Sequence, residues 1–553
     1  MRNRVSTETL VRRAPEILLA VAALAAVTML IAFDSHLTFV SDDWELLVRR
    51  HGFSADLFFE PYAEHLIVGP TLVWKALLSV FGMGSAMPFY VASIATFVLS
   101  GVLLFFYVRA RTGDWVALLM AVLLLFLGAA FEALLLASQI NYFGSMAAGL
   151  GVLIALDRED DVGDRVACAL LLVAIAFSSL GLIFVAGALA DLVLGRRPRA
   201  RRAYVALAPL ALYGLWWLGW GRDAESHLSA SNVVHVPGYV FDAASAAFTS
   251  LFGLATGDGS EPDQPHLIWG KLALVAMAIA GVAKVARERR ISRGLAIALV
   301  LALAFWVVAG LSRSPERFPT SSRYQYPGAI FILLIVAELL RGVRLPAPAI
   351  AAAAVGTGLA ISGGISLMHR EMTERWEPAG ESIRYSLAAV EIAGPAADPS
   401  FPVSFPPRIV VSARRYLDAA DEHGSPAYDE AELAARPPAE RLSADLTLAS
   451  ALGLALVPPE PGARTIGCQD LQASLEGDTD VTLLRGGFTL DNRGPAAVQV
   501  LLSRFADEFS VDLGLLPAGV ETSLQIPTDE SSRPWNLGLR GEGPVRLCTT
   551  EPG

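Results

Sequence analysis

Long apolar runs separated by short polar segments make up residues 1–367. A helix needs about 20 predominantly apolar residues to cross the hydrocarbon core of a bilayer, so such runs predict transmembrane helices. Eleven spans are predicted, at 15–33, 88–108, 115–135, 142–156, 165–178, 180–195, 203–220, 267–286, 293–311, 327–341 and 346–367. This part of the chain is therefore expected to be a mainly α, polytopic membrane protein.

Two further apolar segments do not fit this pattern. Residues 66–81 are short for a span and contain Pro70, Trp74 and Lys75, whereas residues 237–253 lie within a long loop. Trp and Lys are favourable where lipid meets water. We predict that both segments form helices lying in the interface on the outer side of the membrane.

Arginine-containing loops set the orientation, because positively charged loops stay in the cytoplasm. A cytoplasmic N-terminus places six positive clusters inside, and no alternative start does so. These clusters are Arg2–Arg13, Arg109 with Arg111, Arg158 with Arg165, Arg196–Arg202, Lys284–Arg293, and Arg341 with Arg344. Eleven spans then put the C-terminal region outside. We therefore expect a multi-pass plasma membrane protein with an extracytoplasmic C-terminal region.

From about residue 463 the pattern changes to short strand-like segments with turn residues between them. The segments are 481–484, 487–490, 497–502, 522–526 and 545–547. Their spacing predicts a small β-sandwich over 463–553. Residues 368–462 form a predicted α-rich connecting region, with helices expected at 371–393 and 411–422. The expected organisation is a transmembrane domain followed by an extracytoplasmic α/β region that ends in the sandwich.

Charge separates the same two parts of the chain. The net charge is −11, but residues 368–553 hold 15 Lys and Arg against 28 Asp and Glu, which leaves a small positive balance for residues 1–367. A chain that is 54% hydrophobic is neither disordered nor typical of the cytosol. The acidic balance also disfavours nucleic acid as a partner, because it repels phosphate.

The chain has three cysteines, too few to stabilise it by disulfides alone. Cys468 and Cys548 are expected outside the cytoplasm, where they could form a disulfide. Two unpaired buried thiols are the alternative. Cys168 falls within a predicted span and is expected to be a small apolar residue there.

The first outer loop carries two adjacent carboxylates, Asp42 and Asp43, directly after the first span. Ionisable groups close to lipid are costly to maintain and are functional candidates for that reason. A structural alternative is that Asp42 caps a helix beginning at Asp43 or Trp44. Both can hold, with one Asp capping and the other facing a cavity. The same loop ends in Glu64 and His65, where His65 could serve only to cap the helix that follows.

Polar candidates also lie in two later outer loops. Glu132 sits among apolar residues near the end of its span and is expected to face the protein interior. Gln139 and Asn141 could bind sugar hydroxyls, although a structural role is favoured for both. Arg313, Arg317 and Arg323 lie in the loop 312–326, against the expected charge bias. Arg313 and Arg317 could pair with Glu316 or with lipid headgroups. A guanidinium binds phosphate through two parallel hydrogen bonds, and Arg323, beside Tyr324, is the favoured candidate.

This arrangement resembles the GT-C superfamily of polytopic membrane glycosyltransferases. The resemblance is carried by Asp42 and Asp43 after the first span, by the interfacial segment 66–81, and by the late Arg323. It covers residues 1–367. It implies transfer of a hexosyl or pentosyl group from a polyprenyl-phosphate donor, with inversion. The acceptor would be a glycan, a glycolipid or a protein on the outer side of the cell envelope.

The resemblance also implies residue roles. Asp43 or Asp42 would be the general base, and Arg323 with His65 and Tyr324 would bind the donor phosphate. Glu64, Glu132, Gln139 and Asn141 would contact substrate. Members of the superfamily divide on metal dependence, so a metal cofactor stays open. If a divalent cation is used, its ligands could come from Asp42, Asp43, Glu132 and either Glu64 or His65.

Two other classes of function compete with this one. A transporter or flippase of a glycolipid would suit eleven spans, although transporters usually carry midplane ionisable residues and internal repeats, and neither is found. A non-catalytic envelope assembly protein is the second. For the β-sandwich we predict either a carbohydrate-binding module, with Trp535 as a stacking residue, or a domain that only stabilises the outer loops.

Overall fold

A computed structural model provides the structure of the protein. It describes residues 2–50, 52–195, 197–224, 226–256, 267–312, 318–405, 409–459, 464–477, 481–508 and 510–550. The chain forms two compact units. The first consists of Met1–Leu37, Arg50–Val80 and Ala86–Glu377, and the second of Thr38–Arg49, Phe81–Ser85 and Pro378–Gly553. The acidic pair of the first loop therefore belongs to the same unit as the C-terminal region.

Residues 1–371 are predominantly helical. The helices are α1 Arg2–Asp34, α2 Ala55–Phe59, α3 Val68–Phe81, α4 Met87–Thr112, α5 Asp114–Leu125, α6 Phe131–Leu134, α7 Ile140–Leu156, α8 Asp161–Phe177, α9 Gly181–Leu194, α10 Arg199–Arg202, α11 Tyr204–Gly219, α12 Val236–Leu251, α13 Leu267–Glu288, α14 Arg293–Leu311, α15 Ser322–Leu339 and α16 Ala347–Glu371. Ten of the eleven predicted spans each overlap one of these helices, whereas the predicted span 115–135 is divided between α5 and α6.

Seven helical segments among the described residues are long and apolar enough to cross a membrane. They are Arg13–Asp34, Met87–Thr112, Asp114–Leu134, Ala137–Leu156, Leu267–Glu288, Arg293–Leu311 and Ala347–Ala396. The chain is thus a multi-pass membrane protein. The other four predicted spans correspond to α8, α9, α11 and α15, which have 17, 14, 16 and 18 residues. Eleven crossings therefore remain a prediction.

Small residues allow the helices of the first unit to approach closely. A Cβ atom on Gly128 would lie 1.8 Å from the carbonyl oxygen of Gly364, and one on Gly270 would lie 1.9 Å from that of Ser245. Backbone-to-backbone packing of this kind is common between helices in lipid, where dispersion contacts replace the hydrophobic effect. It joins α16 to the turn after α5, and α13 to α12.

The structure corrects the two predicted interfacial helices in part. In α12 every residue from Ala243 to Leu251 is buried, so the second half of this helix packs on all sides instead of presenting one apolar face. Its Ala and Ser side chains are small enough to permit that packing. In α3, Trp74 is buried against Phe89, with ring centroids 4.7 Å apart. Trp74 is therefore a packing residue of the first unit and not a lipid contact.

Ion pairs join the helix ends that carry the predicted positive clusters. The pairs are Arg109–Glu16, Arg111–Glu338, Arg111–Asp157, Arg197–Asp164, Arg202–Asp164, Arg202–Asp191, Arg293–Asp191 and Arg293–Glu159. Arg111 and Glu338 are almost completely buried, as are Asp164 and Asp191. The C-terminal ends of α4, α7, α9 and α15 and the N-terminal ends of α8 and α14 thus share one face of the unit.

The C-terminal part of the second unit combines helices with two layers of strands. Its elements are α17 Glu377–Ala393, β1 Pro402–Phe405, β2 Ile409–Ser412, α18 Ala413–His423, α19 Glu430–Ala434, α20 Pro438–Ala451, β3 Thr465–Ala473, β4 Val481–Leu483, β5 Gly486–Asn492, β6 Val498–Ser503, β7 Val511–Leu516, β8 Glu521–Ile526, β9 Trp535–Arg540 and β10 Gly543–Thr550. The strand orders β3-β10-β5-β8 and β4-β9-β6-β7 form two four-stranded antiparallel sheets. The five predicted strand segments fall in β4, β5, β6, β8 and β10.

The interior of the sandwich contradicts one prediction. Trp535 has no exposed surface, and the Arg504 guanidinium lies 4.6 Å from the centroid of its ring. It therefore cannot stack on a sugar, and the proposed role for Trp535 is wrong. The alternation along β9 places this residue on the inner face of its sheet, where a large aromatic side chain fills the core. Phe488 and Phe505 are buried as well, and Phe509 lies outside the described residues.

A disulfide joins Cys468 on β3 to Cys548 on the neighbouring strand β10. The bridge links the first and last strands of the sandwich, 80 residues apart in the chain. Cys168 is a free thiol in α8.

Candidate functional site

In the first unit, the candidate residues gather around the segment between α5 and α7. This segment, Gly128–Gln139, consists of α6 with a short 3-10 turn on each side, Gly128–Ala130 and Ala137–Gln139. Apolar side chains from α6 are buried, which fixes the segment against the helices around it. The polar residues Glu132 and Gln139 are the partly exposed positions within it.

Glu132 and Arg323 are linked through both backbone and side chain. The Arg323 backbone N–H donates to Glu132 Oε2 at 3.0 Å, and Arg323 Nε lies 3.7 Å from the same oxygen. In the opposite direction, the Glu132 backbone N–H donates to Ser322 Oγ at 3.1 Å, while that hydroxyl donates to the Ala129 carbonyl at 2.7 Å. A segment before α7 and the start of α15 are thereby fixed to each other, although they are 190 residues apart in the chain.

Arg323 is the second residue of α15, whose first-turn N–H groups have no partner within the helix. The carboxylate of Glu132 satisfies one of them and is favoured there by the helix dipole. The Arg323 side chain is 43% exposed. Gln325, one turn further along, accepts from Ser250 Oγ at 3.1 Å and donates to the Ser321 carbonyl at 3.0 Å, so it is structural.

His65 lies near the start of α7, which follows the segment Gly128–Gln139. Residues Tyr62 and His65 exchange backbone hydrogen bonds of 3.0 and 2.9 Å across a tight turn in which Ala63 has a φ of +50°. The Ser179 hydroxyl holds this turn by donating to the Glu64 carbonyl at 3.2 Å. The His65 ring lies edge-on to that of Tyr142, with centroids 6.2 Å apart. The first outer loop is therefore packed against the start of α7.

Glu64 points to a partner that was not predicted from the sequence. Its Oε1 accepts from the backbone N–H of His227 at 2.5 Å and lies 3.2 Å from Nδ1 of the same residue. The pair ties the first outer loop to the loop after α11. Glu64 therefore has a clear structural role. No local signal near His227 indicates this contact, because the loop after α11 has neither a motif nor a regular pattern.

The remaining candidate residues of the first unit differ in how far they are buried. Asn141 is buried, and its Oδ1 accepts from the backbone N–H of Tyr142. Gln139 is partly exposed. The Tyr324 ring packs edge-on against Phe305, with centroids 6.2 Å apart. Arg313 and Arg317 lie outside the described residues.

In the second unit, the two aspartates of the acidic pair have different environments. Asp43 is fully buried, and its Oδ2 accepts from the backbone N–H of Val40 at 3.1 Å, which makes half of a capping box at the start of a helical turn. Asp42 is partly exposed, and its Oδ1 lies 3.4 Å from Ser41 Oγ. Asp43 thus holds the backbone before the turn, and the Asp42 side chain, which the sequence suggested as the cap, contacts Ser41 instead.

Aromatic residues hold the acidic pair in place. Trp44 is fully buried, donates from Nε1 to the Phe39 carbonyl at 3.0 Å, and lies edge-on to Tyr416 of α18, with centroids 6.0 Å apart. The Tyr416 hydroxyl bonds to the Glu391 carboxylate and to Ser425 Oγ. Burial and the charge of Glu391 raise the pKa of Tyr416 well above its ordinary value, so it stays a neutral donor. Tyr416 has no sequence signal, because it is one aromatic residue in an ordinary amphipathic helix.

The structure therefore brings Glu132 together with Arg323, and His65 with Tyr142, in the first unit. It places Asp42 and Asp43 in the second unit with Trp44 and Tyr416. Over the described part of the chain, no group of three or more His, Cys, Asp or Glu side chains is arranged to hold a metal ion.

Comparisons with known proteins do not identify a family for this chain. No family model matches the sequence, and no curated protein matches it. Among solved structures, the chain is similar to arabinosyltransferase EmbB from Mycobacterium smegmatis, determined by single-particle cryo-EM, at 11% identity and a TM-score of 0.33. The alignment covers 96% of this chain and 64% of that chain. A TM-score this low assigns neither fold nor activity.

Proposed function

We propose that the protein is a membrane glycosyltransferase that moves a sugar from a polyprenyl-phosphate donor to an acceptor on the outer side of the cell envelope, with inversion. The observation that carries the proposal is Arg323, whose side chain is 43% exposed in the first turn of α15, at the end of a loop where the charge bias disfavours arginine. A helix N-terminus together with a guanidinium favours phosphate. The segment Gly128–Gln139 beside it leads directly into Tyr142, which His65 contacts.

The proposal includes eleven crossings, with the N-terminus in the cytoplasm and the second unit outside. The ion pairs that join alternate helix ends support this topology, because helices that cross in turn must return to the same face at every second end. The ion pairs also explain how arginines such as Arg111 and Arg202 can be buried at these helix ends, since each has a carboxylate partner.

Of the acidic pair, we assign Asp42 as the general base and Asp43 as the residue that fixes the loop. A general base must reach the proton that it accepts, and Asp42 is the partly exposed member. In the reaction that the resemblance implies, the acceptor hydroxyl attacks the anomeric carbon and passes its proton to the base, while the bond from that carbon to the phosphate oxygen breaks. Arg323 stabilises the charge that the leaving phosphate gains. No step in this proposal requires a metal ion.

The test uses the purified full-length chain and a panel of polyprenyl-phosphate sugars as donors. Loss of a general base costs about 10²- to 10⁴-fold in rate, so we expect D42N to lose transfer activity by at least about a hundredfold while the chain stays folded. R323A should raise the KM for the donor. E60Q alters an exposed carboxylate of the same outer loop and serves as the matched control.

D43N should act differently, because Asp43 holds backbone. We expect loss of thermal stability together with activity, whereas D42N loses activity alone. Retention of transfer by D42N would remove the base assignment. Failure of every polyprenyl-phosphate sugar to react or bind, with the wild-type chain folded, would remove the proposed function and favour the assembly-protein alternative.

A further inference from the structure

Glu132 and Arg323 form an ion pair that is close but loose. Their shortest side-chain distance, 3.7 Å from Nε to Oε2, is within ion-pair range but too long for a hydrogen bond. Glu132 uses that same oxygen to accept the Arg323 backbone N–H at 3.0 Å. The carboxylate is thus fixed by the backbone of α15 and lies beside the Arg323 guanidinium.

Exposure shows that this pair is accessible. The Glu132 side chain is 20% exposed and the Arg323 side chain 43%. An anion that approaches Arg323 therefore also approaches the negative charge of Glu132. Coulomb repulsion between unit charges a few ångströms apart near a protein surface is large enough to change binding severalfold.

Substrate and product of the proposed reaction differ in charge at this point. The donor is a phosphodiester with one negative charge, whereas the released polyprenyl phosphate is a monoester with about −1.5 to −2 near neutral pH. An isolated arginine would therefore bind the product more tightly than the substrate. A nearby fixed carboxylate opposes the more highly charged species more strongly.

We propose that Glu132 is a positioning residue that fixes Arg323 through its backbone and offsets its charge, so that the polyprenyl monophosphate is released after transfer. Glu132 does not contact substrate in this account, in contrast to its predicted role. The inference rests on the proposed function and concerns the same phosphate site. Its class of ligand is an amphiphilic phosphate monoester.

A purely structural role for Glu132 predicts the opposite result. If the carboxylate only stabilises the start of α15, then loss of its charge makes the position of Arg323 less well defined, and phosphate binding becomes weaker. If it also offsets charge, E132Q keeps an oxygen that accepts the Arg323 N–H but loses the negative charge, and phosphate binding becomes tighter. The sign of the change therefore separates the two roles.

The experiment measures binding of a short-chain polyprenyl phosphate to the full-length chain in detergent, together with inhibition of transfer by the same compound. We expect E132Q to bind it about three- to tenfold more tightly than wild type, with the gain shrinking at high ionic strength. E60Q, which changes an exposed glutamate of the first outer loop, should leave binding unchanged. Thermal unfolding confirms that each variant is folded.

The double variant E132Q/R323A shows whether the effect passes through the arginine. We expect the gain from E132Q to disappear in the R323A background. Equal or weaker binding by E132Q, or a gain that persists without Arg323, would overturn the proposal while the proposed function stands. Absence of any binding to the wild-type chain would instead remove the proposed function itself.

Discussion

The two units of this protein pack their interiors in different ways. The first buries charged groups in pairs at its helix ends, as in Arg111 with Glu338, and packs its helices through small residues. The second packs apolar side chains between two sheets and buries one ion pair, Arg504 with Asp529, beside them. In lipid, apolar burial gives little drive for helices to associate, so close packing and polar ties must specify their arrangement. In an antiparallel sheet, alternation along each strand places apolar side chains on one face, where the second sheet can cover them.

The largest expected effect is on the charged network of the first unit. Glu338→Ala leaves Arg111 buried with one fewer partner, and breaking a buried pair typically costs about 3–5 kcal/mol. We expect a large fall in the thermal unfolding temperature of the detergent-solubilised chain. Asp160→Asn is the matched control, because its pair with Arg158 is about half exposed on both sides and should contribute little. Equal effects of the two substitutions would show that burial does not set the strength of these pairs.

The second expected effect is confined to the second unit. Removing the disulfide with the double substitution C468S/C548S should destabilise the sandwich by about 2–4 kcal/mol, because it frees a long loop in the unfolded chain. Hydrogen exchange should rise in β3 and β10 and stay unchanged in the helices of the first unit. C168S, at the free thiol of α8, should leave the exchange of the sandwich unaltered. Faster exchange in the helices of the first unit as well would contradict this prediction.

The smallest effect concerns surface charge on the sandwich. A hydrogen bond from Arg546 lowers the pKa of the Asp470 carboxyl. The stabilisation is therefore present above the ordinary carboxyl value of about 3.9 and is lost as pH falls through the lowered value in the folded state. R546A should remove this small acid dependence and leave stability at neutral pH nearly unchanged. The check is the pH dependence of hydrogen exchange in β10, and an unchanged profile would assign the dependence to other groups.

The sequence predicted the parts of the fold that depend on local pattern. Apolar runs long enough for lipid form helices, and alternating segments form strands such as β5 and β6. It did not predict that α12 packs on all sides or that Trp535 faces inward. Both outcomes depend on which face of the helix or strand packs against another element. The local pattern of apolar residues does not show which face that is.

The candidate site was predicted as a set of residues but not as an arrangement. Arg323 and Glu132 were each found from charge in an unexpected place, whereas the hydrogen bond from the Arg323 backbone N–H to Glu132 joins two segments 191 residues apart. The contact of Glu64 with His227 and the support of Trp44 by Tyr416 had no sequence signal. Long-range contacts leave no periodic trace in the chain, since they follow from how helices pack.

The sequence by itself determined that this chain enters a membrane, which helices have arginines at their ends, and that a β-sandwich ends it. Hydrophobic length and strand alternation are local properties, so a single chain suffices to read them. Only the tertiary structure decided which member of the acidic pair is buried and which stays partly exposed. It also decided that Glu132 faces Arg323. Each of these outcomes depends on burial and on distances between segments that lie far apart in the chain.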